Sequence, residues 1–258
     1  MKMITRLALI GAVAAGAAAS VAIAASDAKH PEEIAWSFEG PFGHYDRGAL
    51  QRGYQVYKEV CAACHSMNLI AFRNLGEAGG PEFSEAEVKA LAAQYEIADL
   101  DEAGEAMTRP GRPSDHFVAP FANAKTAAAA NNGAAPPDLS VMAKARPNGP
   151  NYIHAFLTGF TEPPAGVEML EGASYNPYFP GGQVAMAAVL SDGGITYADG
   201  TVATIDQQAR DVTQFLMWTA EPKLEERKRM GFMVMSFIAL LAAMLYLSYR
   251  RLWRDQPH

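Results

Sequence analysis

Both cysteines of this 258-residue chain, Cys61 and Cys64, lie three positions apart, and His65 follows the second directly. A Cys-x-x-Cys pair suits a zinc site, a redox-active disulfide or a covalent haem. A structural zinc needs four ligands, and the chain has no further cysteine. A thioredoxin-type pair does not require His65. Cys-x-x-Cys-His as a unit indicates one covalently attached haem c, held by two thioether bonds, with His65 as an axial ligand of the iron.

Two segments have the apolar spacing of helices that would hold such a haem. Residues 46–60, DRGALQRGYQVYKEV, place Gly53 and Tyr57 on one apolar stripe that leads to the cysteines. Residues 206–219, DQQARDVTQFLMWT, have a similar apolar face, and Pro222 marks the end of that helix. Because glycine has no side chain, Gly53 predicts a close crossing of the two helices. Such a crossing is typical of the class I cytochrome c fold.

The opposite face of the iron needs a second ligand, and spacing alone leaves several open. His154 lies in a predicted helix, and His116 lies in a proline-rich loop. Four methionines also remain open: Met107, Met142, Met169 and Met186. Met186 follows NPYFPGGQVA, an irregular Pro/Gly-rich stretch that can arch over a haem ring. A thioether ligand raises the reduction potential of a haem, as suits an electron carrier.

Apolar segments near both ends predict how the chain is exported and anchored. A short basic start, an apolar run of small residues over 7–19 and the small-x-small pattern at 22–24 are typical of a bacterial export signal. Residues 231–249 carry no charge over nineteen positions and are flanked by basic residues, so we expect a transmembrane helix there. The export signal predicts a single-pass protein of the bacterial inner membrane.

These segments divide the chain into five parts. We expect a cleaved signal peptide at 1–24, a periplasmic c-type haem domain at 25–222, a basic juxtamembrane linker at 223–230, the transmembrane helix at 231–249 and a cytoplasmic tail at 250–258. The predicted haem domain holds 12 Lys and Arg against 25 Asp and Glu, a net charge of −13. This charge argues against nucleic-acid binding and favours a cationic partner. Residues 82–105 alone carry a net charge of −7, which predicts a docking surface for a cationic cytochrome c.

Several blocks of sequence resemble the cytochrome c1 family, the haem subunits of the cytochrome bc1 complex. In order along the chain they are CAACHSM, AMTRPGRPSD, AAANNGAAPPDLS, LTGFTEPPAG, NPYFPGGQVAM and FLMWTAEPKLEERKRMG. The resemblance runs from about Phe38 to the anchor. It implies a mainly α, class I cytochrome c-like haem domain with long loop insertions, plus one C-terminal transmembrane helix.

The resemblance also implies roles for individual residues around the haem. It makes Met186 the second axial ligand of the iron and places Arg146 and Tyr152 against the haem propionates. Three further residues would pack near the haem: Asn131, Pro136 and Pro137. The chain departs from the family pattern directly after Met186, where Ala-Ala-Val-Leu stands in place of the usual prolines. This departure bears on the stiffness of the loop and hence on the potential.

The resemblance implies electron transfer without a catalytic residue of the chain's own. The haem would take one electron from a Rieske iron–sulfur protein and pass it to a soluble or tethered cytochrome c, in a complex with a diheme cytochrome b. The alternative is a stand-alone membrane-anchored cytochrome c, or a cytochrome subunit of a terminal oxidase, which would lack the PPDLS and NPYFPG blocks. A haem peroxidase would need a second Cys-x-x-Cys-His, which the sequence does not contain.

Overall fold

Helices form most of the regular structure in residues 28–256, the part of the chain that the computed structural model describes. The predicted export signal lies outside the described residues. The helices are α1 Arg47–Glu59, α2 Glu85–Ala92, α3 Ala124–Ala130, α4 Met142–Ala145, α5 Gly149–Thr158, α6 Ile205–Ala220 and α7 Leu224–Trp253. Two antiparallel hairpins interrupt them, β1 Glu96–Leu100 with β2 Ala106–Pro110 and β3 Ser174–Tyr175 with β4 Gln183–Val184. The expected mainly helical fold with long loops is confirmed.

Helix α1 begins at a capped residue and buries the predicted stripe. The Asp46 side chain accepts a hydrogen bond from the Ala49 N–H (3.0 Å), which satisfies a backbone donor of the first turn. Leu50, Tyr54 and Tyr57 are buried along the face that the spacing predicted. Helix α1 therefore enters the core by one face and ends directly before the two cysteines.

Helices α1 and α6 cross at Gly53, as the sequence predicts. A Cβ atom built at Gly53 would overlap the carbonyl oxygen of Asp211 and lie 2.7 Å from Phe215 Cβ. Only glycine fits this contact. The neighbouring Arg52 reaches across the crossing and donates to both carboxylate oxygens of the buried Asp211, at 2.9 and 3.0 Å. The crossing is thus fixed by close packing and by a bidentate ion pair.

Aromatic side chains fill the space behind this crossing. Tyr54 and Tyr57 of α1 lie 5.8 and 5.9 Å, centroid to centroid, from Phe215 of α6. Phe117, from an irregular segment, packs against both tyrosines at 6.0 and 5.9 Å. Trp218 continues the cluster one turn further along α6. Cys61 packs against the core cluster to which these rings belong.

Helix α7 is longer than the predicted membrane span. It contains 30 residues, about 45 Å at the usual helical rise, and its apolar window is not buried against the rest of the described chain. Within residues 28–256 it is the one helix long and apolar enough to cross a membrane. Residues 224–230, expected as part of a linker, form its first two turns. This candidate membrane helix starts within the domain that carries the Cys-x-x-Cys-His segment.

The first turn of α7 is tied to the start of α1. The Glu225 carboxylate accepts two hydrogen bonds from the Arg47 guanidinium, at 2.8 and 2.7 Å, and a third from the Tyr45 N–H at 2.8 Å. Leu224 is only 4% exposed and belongs to the hydrophobic core. The anchor and the domain therefore share core packing.

The second turn of α7 is tied to the loop that precedes α1. The Lys228 ammonium donates to the carbonyl oxygens of Phe38 (2.6 Å) and Gly43 (3.1 Å). Arg227 forms an ion pair with Glu221 at the end of α6. These contacts fix the orientation of α7 relative to the rest of the domain, and residues 224–230 of the predicted basic juxtamembrane linker are helical and packed against it.

Candidate haem-attachment site

The two cysteines lie in one tight turn that follows α1. A 3₁₀ turn spans Cys61–Ala63, and the N–H groups of Cys64 and His65 both donate to the Cys61 carbonyl oxygen, at 3.1 and 2.9 Å. Both thiols are free, with no disulfide between them. Burial raises the pKa of the Cys61 thiol to about 12. Two free thiols on a single turn are what two thioether bonds to one porphyrin require.

The imidazole of His65 is held in the tautomer that ligates a metal. Its Nδ1 lies 2.8 Å from the carbonyl oxygen of Pro137. A carbonyl oxygen only accepts hydrogen bonds, so Nδ1 carries the hydrogen and Nε2 carries the lone pair. Burial lowers the pKa of His65, against the opposing effect of the hydrogen bond to Pro137. The ring is therefore neutral and oriented by a backbone group, as metal-ligating histidines usually are.

The carboxylate of Asp138 joins this segment to the one that carries the carbonyl. It accepts hydrogen bonds from Ser66 Oγ, the Asn68 N–H and the Ser140 N–H, each at 2.8 Å. Burial raises the pKa of Asp138, but the hydrogen bonds from Ser140, Asn68 and Ser66 together hold it below its usual value. Asp138 therefore stays ionised and joins two segments that are about 70 positions apart in sequence.

Sequence patterns alone do not single out Asp138. A local signal exists, because the Asp138 carboxylate accepts from the backbone two residues on, at Ser140, in the manner of an Asx turn. Because Asp138 follows Pro137 directly, this turn also fixes the direction of the Pro137 carbonyl group. By fixing the backbone here, Asp138 holds the Pro137 carbonyl against the imidazole of His65.

Other predicted haem-packing residues lie around a cavity beside the motif. Cys64 and Pro136 both line this cavity, whose volume is about 330 Å³, together with Ala127 of α3. Asn131 caps the end of α3, where its side-chain amide donates to the Ala127 carbonyl oxygen at 2.8 Å. The structure thus brings Pro136 and Pro137 to the motif, whereas Asn131 shapes the helix behind it.

Arg146 and Tyr152 lie close together where α4 meets α5. Burial raises the pKa of the Tyr152 phenol, while the charge of the neighbouring Arg146 opposes that rise. Tyr152 also stacks on Phe156, one turn further along α5, with ring centroids 6.0 Å apart. A guanidinium and a phenol side by side suit a carboxylate, the chemistry of a haem propionate.

The two histidines left open by the sequence both make contacts within the protein. His116 Nδ1 lies 2.7 Å from the Asn68 carbonyl oxygen. His154, which lies on α5 as predicted, pairs through Nε2 with Asp206 of α6 at 2.8 Å. His154 is held through Nε2, whereas the His116 contact uses Nδ1 and leaves Nε2 free, as in His65, so these contacts do not decide between a histidine and a methionine as the second iron ligand.

The four open methionines have different surroundings. Met107 lies on the exposed strand β2, and Met142 packs from α4 against the core. Met169 and Met186 are both half-buried in irregular segments. Met186 lies two positions after the end of β4, at a bend in the long stretch that leads to α6.

Two of the eight carboxylates in residues 82–105 are neutralised by arginines. Glu82 pairs with Arg47 at 2.9 Å. Asp99 on β1 pairs with Arg109 on β2, and the guanidinium lowers the pKa of that carboxyl group. These two groups therefore contribute less to an attractive negative surface than the sequence suggests.

The turn between β1 and β2 carries both structural and free carboxylates. Asp101 accepts hydrogen bonds from the Ala103 and Glu105 N–H groups, at 2.8 and 2.9 Å, and so shapes the turn. Within residues 28–256, the exposed carboxylates of Glu102 and Glu105 form no ion pair. Glu102 and Glu105 are the part of the acidic segment best suited to attract a cationic protein.

The chain is similar to known proteins over most of its length. Residues 36–256 match the model of the Cytochrome C1 family. The chain is 48% identical over 240 residues to cytochrome c1 of Rhodospirillum rubrum, which covers 86% of this chain and 87% of that protein. It is 47% identical to the Arabidopsis thaliana protein named cytochrome c1 1, heme protein, mitochondrial, over 95% of this chain and 80% of that one. It is 52% identical, over 85% of its length, to a Bradyrhizobium diazoefficiens protein named cytochrome b/c1, of which it spans only 35%. The chain belongs to the cytochrome c1 family.

Proposed function

We propose that this chain is the membrane-anchored haem subunit of a cytochrome bc1 complex. It holds one haem c through thioether bonds from Cys61 and Cys64, with His65 and Met186 as the axial ligands of the iron. When bound, the haem supplies a one-electron Fe(III)/Fe(II) couple. The observation that carries the proposal is the 2.8 Å contact between His65 Nδ1 and the Pro137 carbonyl, because it fixes the ligating tautomer within an intact attachment motif.

The residues of the chain tune that couple rather than perform catalysis. His65 and Met186 leave no open coordination position for a substrate, so the chain has no catalytic residue of its own. The thioether of Met186 favours ferrous iron and raises the potential. Arg146 and Tyr152 bind the propionates and offset their charge.

Replacing the second ligand tests this site. Met186→Leu keeps the apolar volume but removes the sulfur, so the reduction potential should fall by on the order of 100 mV, and carbon monoxide should bind the reduced protein. Met169→Leu is the matched control, since Met169 is also half-buried in an irregular segment. A normal potential in the first variant and a lowered one in the control would transfer the ligand role to Met169.

The complex proposed here also contains a diheme cytochrome b and a Rieske iron–sulfur protein, which donates the electron. Two features support it: the family membership, and a membrane helix whose apolar window is not buried by the chain itself. Purification in mild detergent should recover the chain with a diheme cytochrome b and an iron–sulfur protein. Recovery of the chain by itself would favour the stand-alone cytochrome. Recovery with oxidase subunits would favour the terminal-oxidase alternative.

The haem domain faces the periplasm of a bacterial cell, and residues 250–258 lie in the cytoplasm. The export signal predicted at 1–24 supports this orientation, as does the thioether chemistry, which is carried out outside the cytoplasm. Protease added to intact spheroplasts should digest the haem domain and spare an epitope placed after residue 250. Digestion of the epitope alone would show that the protein has the opposite orientation.

The electron acceptor is a cationic cytochrome c, attracted by the turn between β1 and β2. Replacing Glu102 and Glu105 by glutamine should slow electron transfer at low salt by about two- to fivefold and flatten its salt dependence, because steering by exposed charges is screened by salt. Glu32→Gln with Glu33→Gln removes two exposed charges elsewhere and is the matched control. An unchanged salt dependence in the first variant would place the acceptor on another surface.

A further inference from the structure

A groove of about 330 Å³ opens where α7 leaves the haem domain. One wall comes from the loop before α1 and the other from the second and third turns of α7. The residues that line the groove include Phe42, Gly43, His44, Arg229, Phe232 and Met233. The groove borders the apolar part of α7, so it lies at the boundary between the membrane and water on the side of the haem domain.

Arg229 is the free charge of this groove. Its two neighbours in the chain have protein partners, since Arg227 pairs with Glu221 and Lys228 donates to two backbone carbonyls. In the described part of the chain, the exposed Arg229 makes neither an ion pair nor a hydrogen bond.

The other charged groups at the groove leave its charge positive. Glu225 lines it, but both carboxylate oxygens are bound by the Arg47 guanidinium. The ammonium of Lys228 keeps its charge, because its partners are neutral carbonyls. An anion entering the groove therefore meets two cations and one carboxylate that is already neutralised.

Exposed apolar side chains form the membrane-facing part of the groove. Phe42 is 80% and Phe232 64% exposed, with their ring centroids 6.3 Å apart. Met233 extends this apolar surface towards the span. Exposed aromatic rings cost little at the level of lipid headgroups, where aromatic residues are enriched in membrane proteins. A cation beside an apolar slot that opens to the bilayer is complementary to a phosphate with an attached acyl chain.

We propose that this groove binds one anionic phospholipid, with its phosphate on Arg229 and an acyl chain along Phe42 and Phe232. A basic residue next to the membrane adds about 1 kcal/mol to the binding of anionic lipid, which corresponds to about a fivefold change in affinity. The site depends only on α7 lying in a membrane and holds for either orientation of the protein.

Photo-crosslinking in a defined bilayer tests the site. The full haem-carrying chain is placed in phosphatidylcholine nanodiscs that contain a minor fraction of photoactivatable phosphatidylglycerol, and adducts are mapped by mass spectrometry. We expect adducts within residues 41–44 and 229–233, with the yield reduced about fivefold in Arg229→Gln. Lys223→Gln removes another exposed positive charge, directly before α7 and outside the groove, where it pairs with Glu77, and should keep the wild-type yield.

Three outcomes would overturn the proposal. The first is an equal yield in Arg229→Gln and wild type, with the haem spectrum showing that both are folded. The second is equal labelling by photoactivatable phosphatidylcholine, or complete displacement of the lipid by inorganic phosphate, which would indicate a site for free anions. The third is crosslinking of this groove, in native membranes, to another polypeptide in place of lipid.

Discussion

Ending the chain before or after the first two turns of α7 should give haem domains of very different stability. The sequence places the end of the domain at Pro222, but the structure adds residues 224–228 to its core and hydrogen bonding. We expect a chain that ends at Pro222 to be much less stable than one that ends at Met230. Both lack the apolar span, so they differ only in these eight residues.

The size of the difference follows from three contacts. Burying the Leu224 side chain contributes about 1.5 to 3 kcal/mol. Losing Glu225 leaves its donors, the Arg47 guanidinium and the Tyr45 N–H, without their acceptor, at a cost of about 1 to 3 kcal/mol. Losing the charged donor Lys228 costs about 1.5 to 3 kcal/mol. Together these amount to about 4 to 9 kcal/mol, against the 5 to 15 kcal/mol that holds a typical domain folded.

Urea unfolding followed by far-UV circular dichroism measures the difference. With a slope of about 3 kcal/mol per molar urea for a domain of this size, the midpoint should fall by roughly 1 to 3 M in the shorter chain. Within the longer chain, Glu225→Gln should lower the midpoint, and Lys223→Gln, whose side chain is 63% exposed, should not. Equal midpoints for the two chain lengths would refute the reasoning and show that the domain ends at Pro222, as the sequence predicts.

Three further changes have defined outcomes. Cys61→Ser with Cys64→Ser should leave no haem on the chain after a denaturing gel, and persistent haem staining would contradict covalent attachment. Gly53→Ala should destabilise the domain by about 1 to 3 kcal/mol in calorimetry because of overlap with α6, whereas Gly48→Ala, which meets its neighbours at 3.4 Å, should not. The Arg109 guanidinium, with the Arg112 N–H, lowers the pKa of Asp115 to about 2. The contribution of Asp115 to stability is therefore present above its unfolded pKa near 4 and is lost as the pH falls towards 2. Asp115→Asn should remove the loss of stability between about pH 4 and pH 2 that is due to Asp115. A pH profile of the unfolding midpoint that is unchanged in this variant would contradict the prediction.

The parts of the fold that follow from the sequence are those encoded by local spacing. The stripe through Gly53 is periodic over 46–60, so both the helix and the need for a close neighbour can be predicted. The neighbour itself is recognisable because 206–219 has a matching apolar face. Haem attachment by Cys-x-x-Cys-His can also be predicted, because the residues that carry out this chemistry are five consecutive positions.

The parts that escape prediction depend on partners far away in the chain. Asp138 meets Ser66 across 72 positions, and nothing near Asp138 indicates that partner. The sequence of residues 223–230 predicts only a basic juxtamembrane linker, because the two carbonyl partners of Lys228 lie 185 and 190 positions earlier in the chain. Met186 is one of four open methionines by spacing; its Pro/Gly-rich surroundings favour it, and the family resemblance makes it the ligand.

The crossing of α1 and α6 also sets an order of events during synthesis. Arg52 and Asp211 are 159 positions apart, so the partner helix is made long after the haem-attachment motif. At about 5 to 20 residues per second, roughly 8 to 30 s separate the two. During this interval α1 lacks its partner helix, and the thiol of Cys61 lacks the burial that raises its pKa in the folded domain. The chain topology therefore gives haem attachment a period in which the Cys61 side chain is not yet packed against the core, whereas Cys64 stays exposed in the folded domain as well.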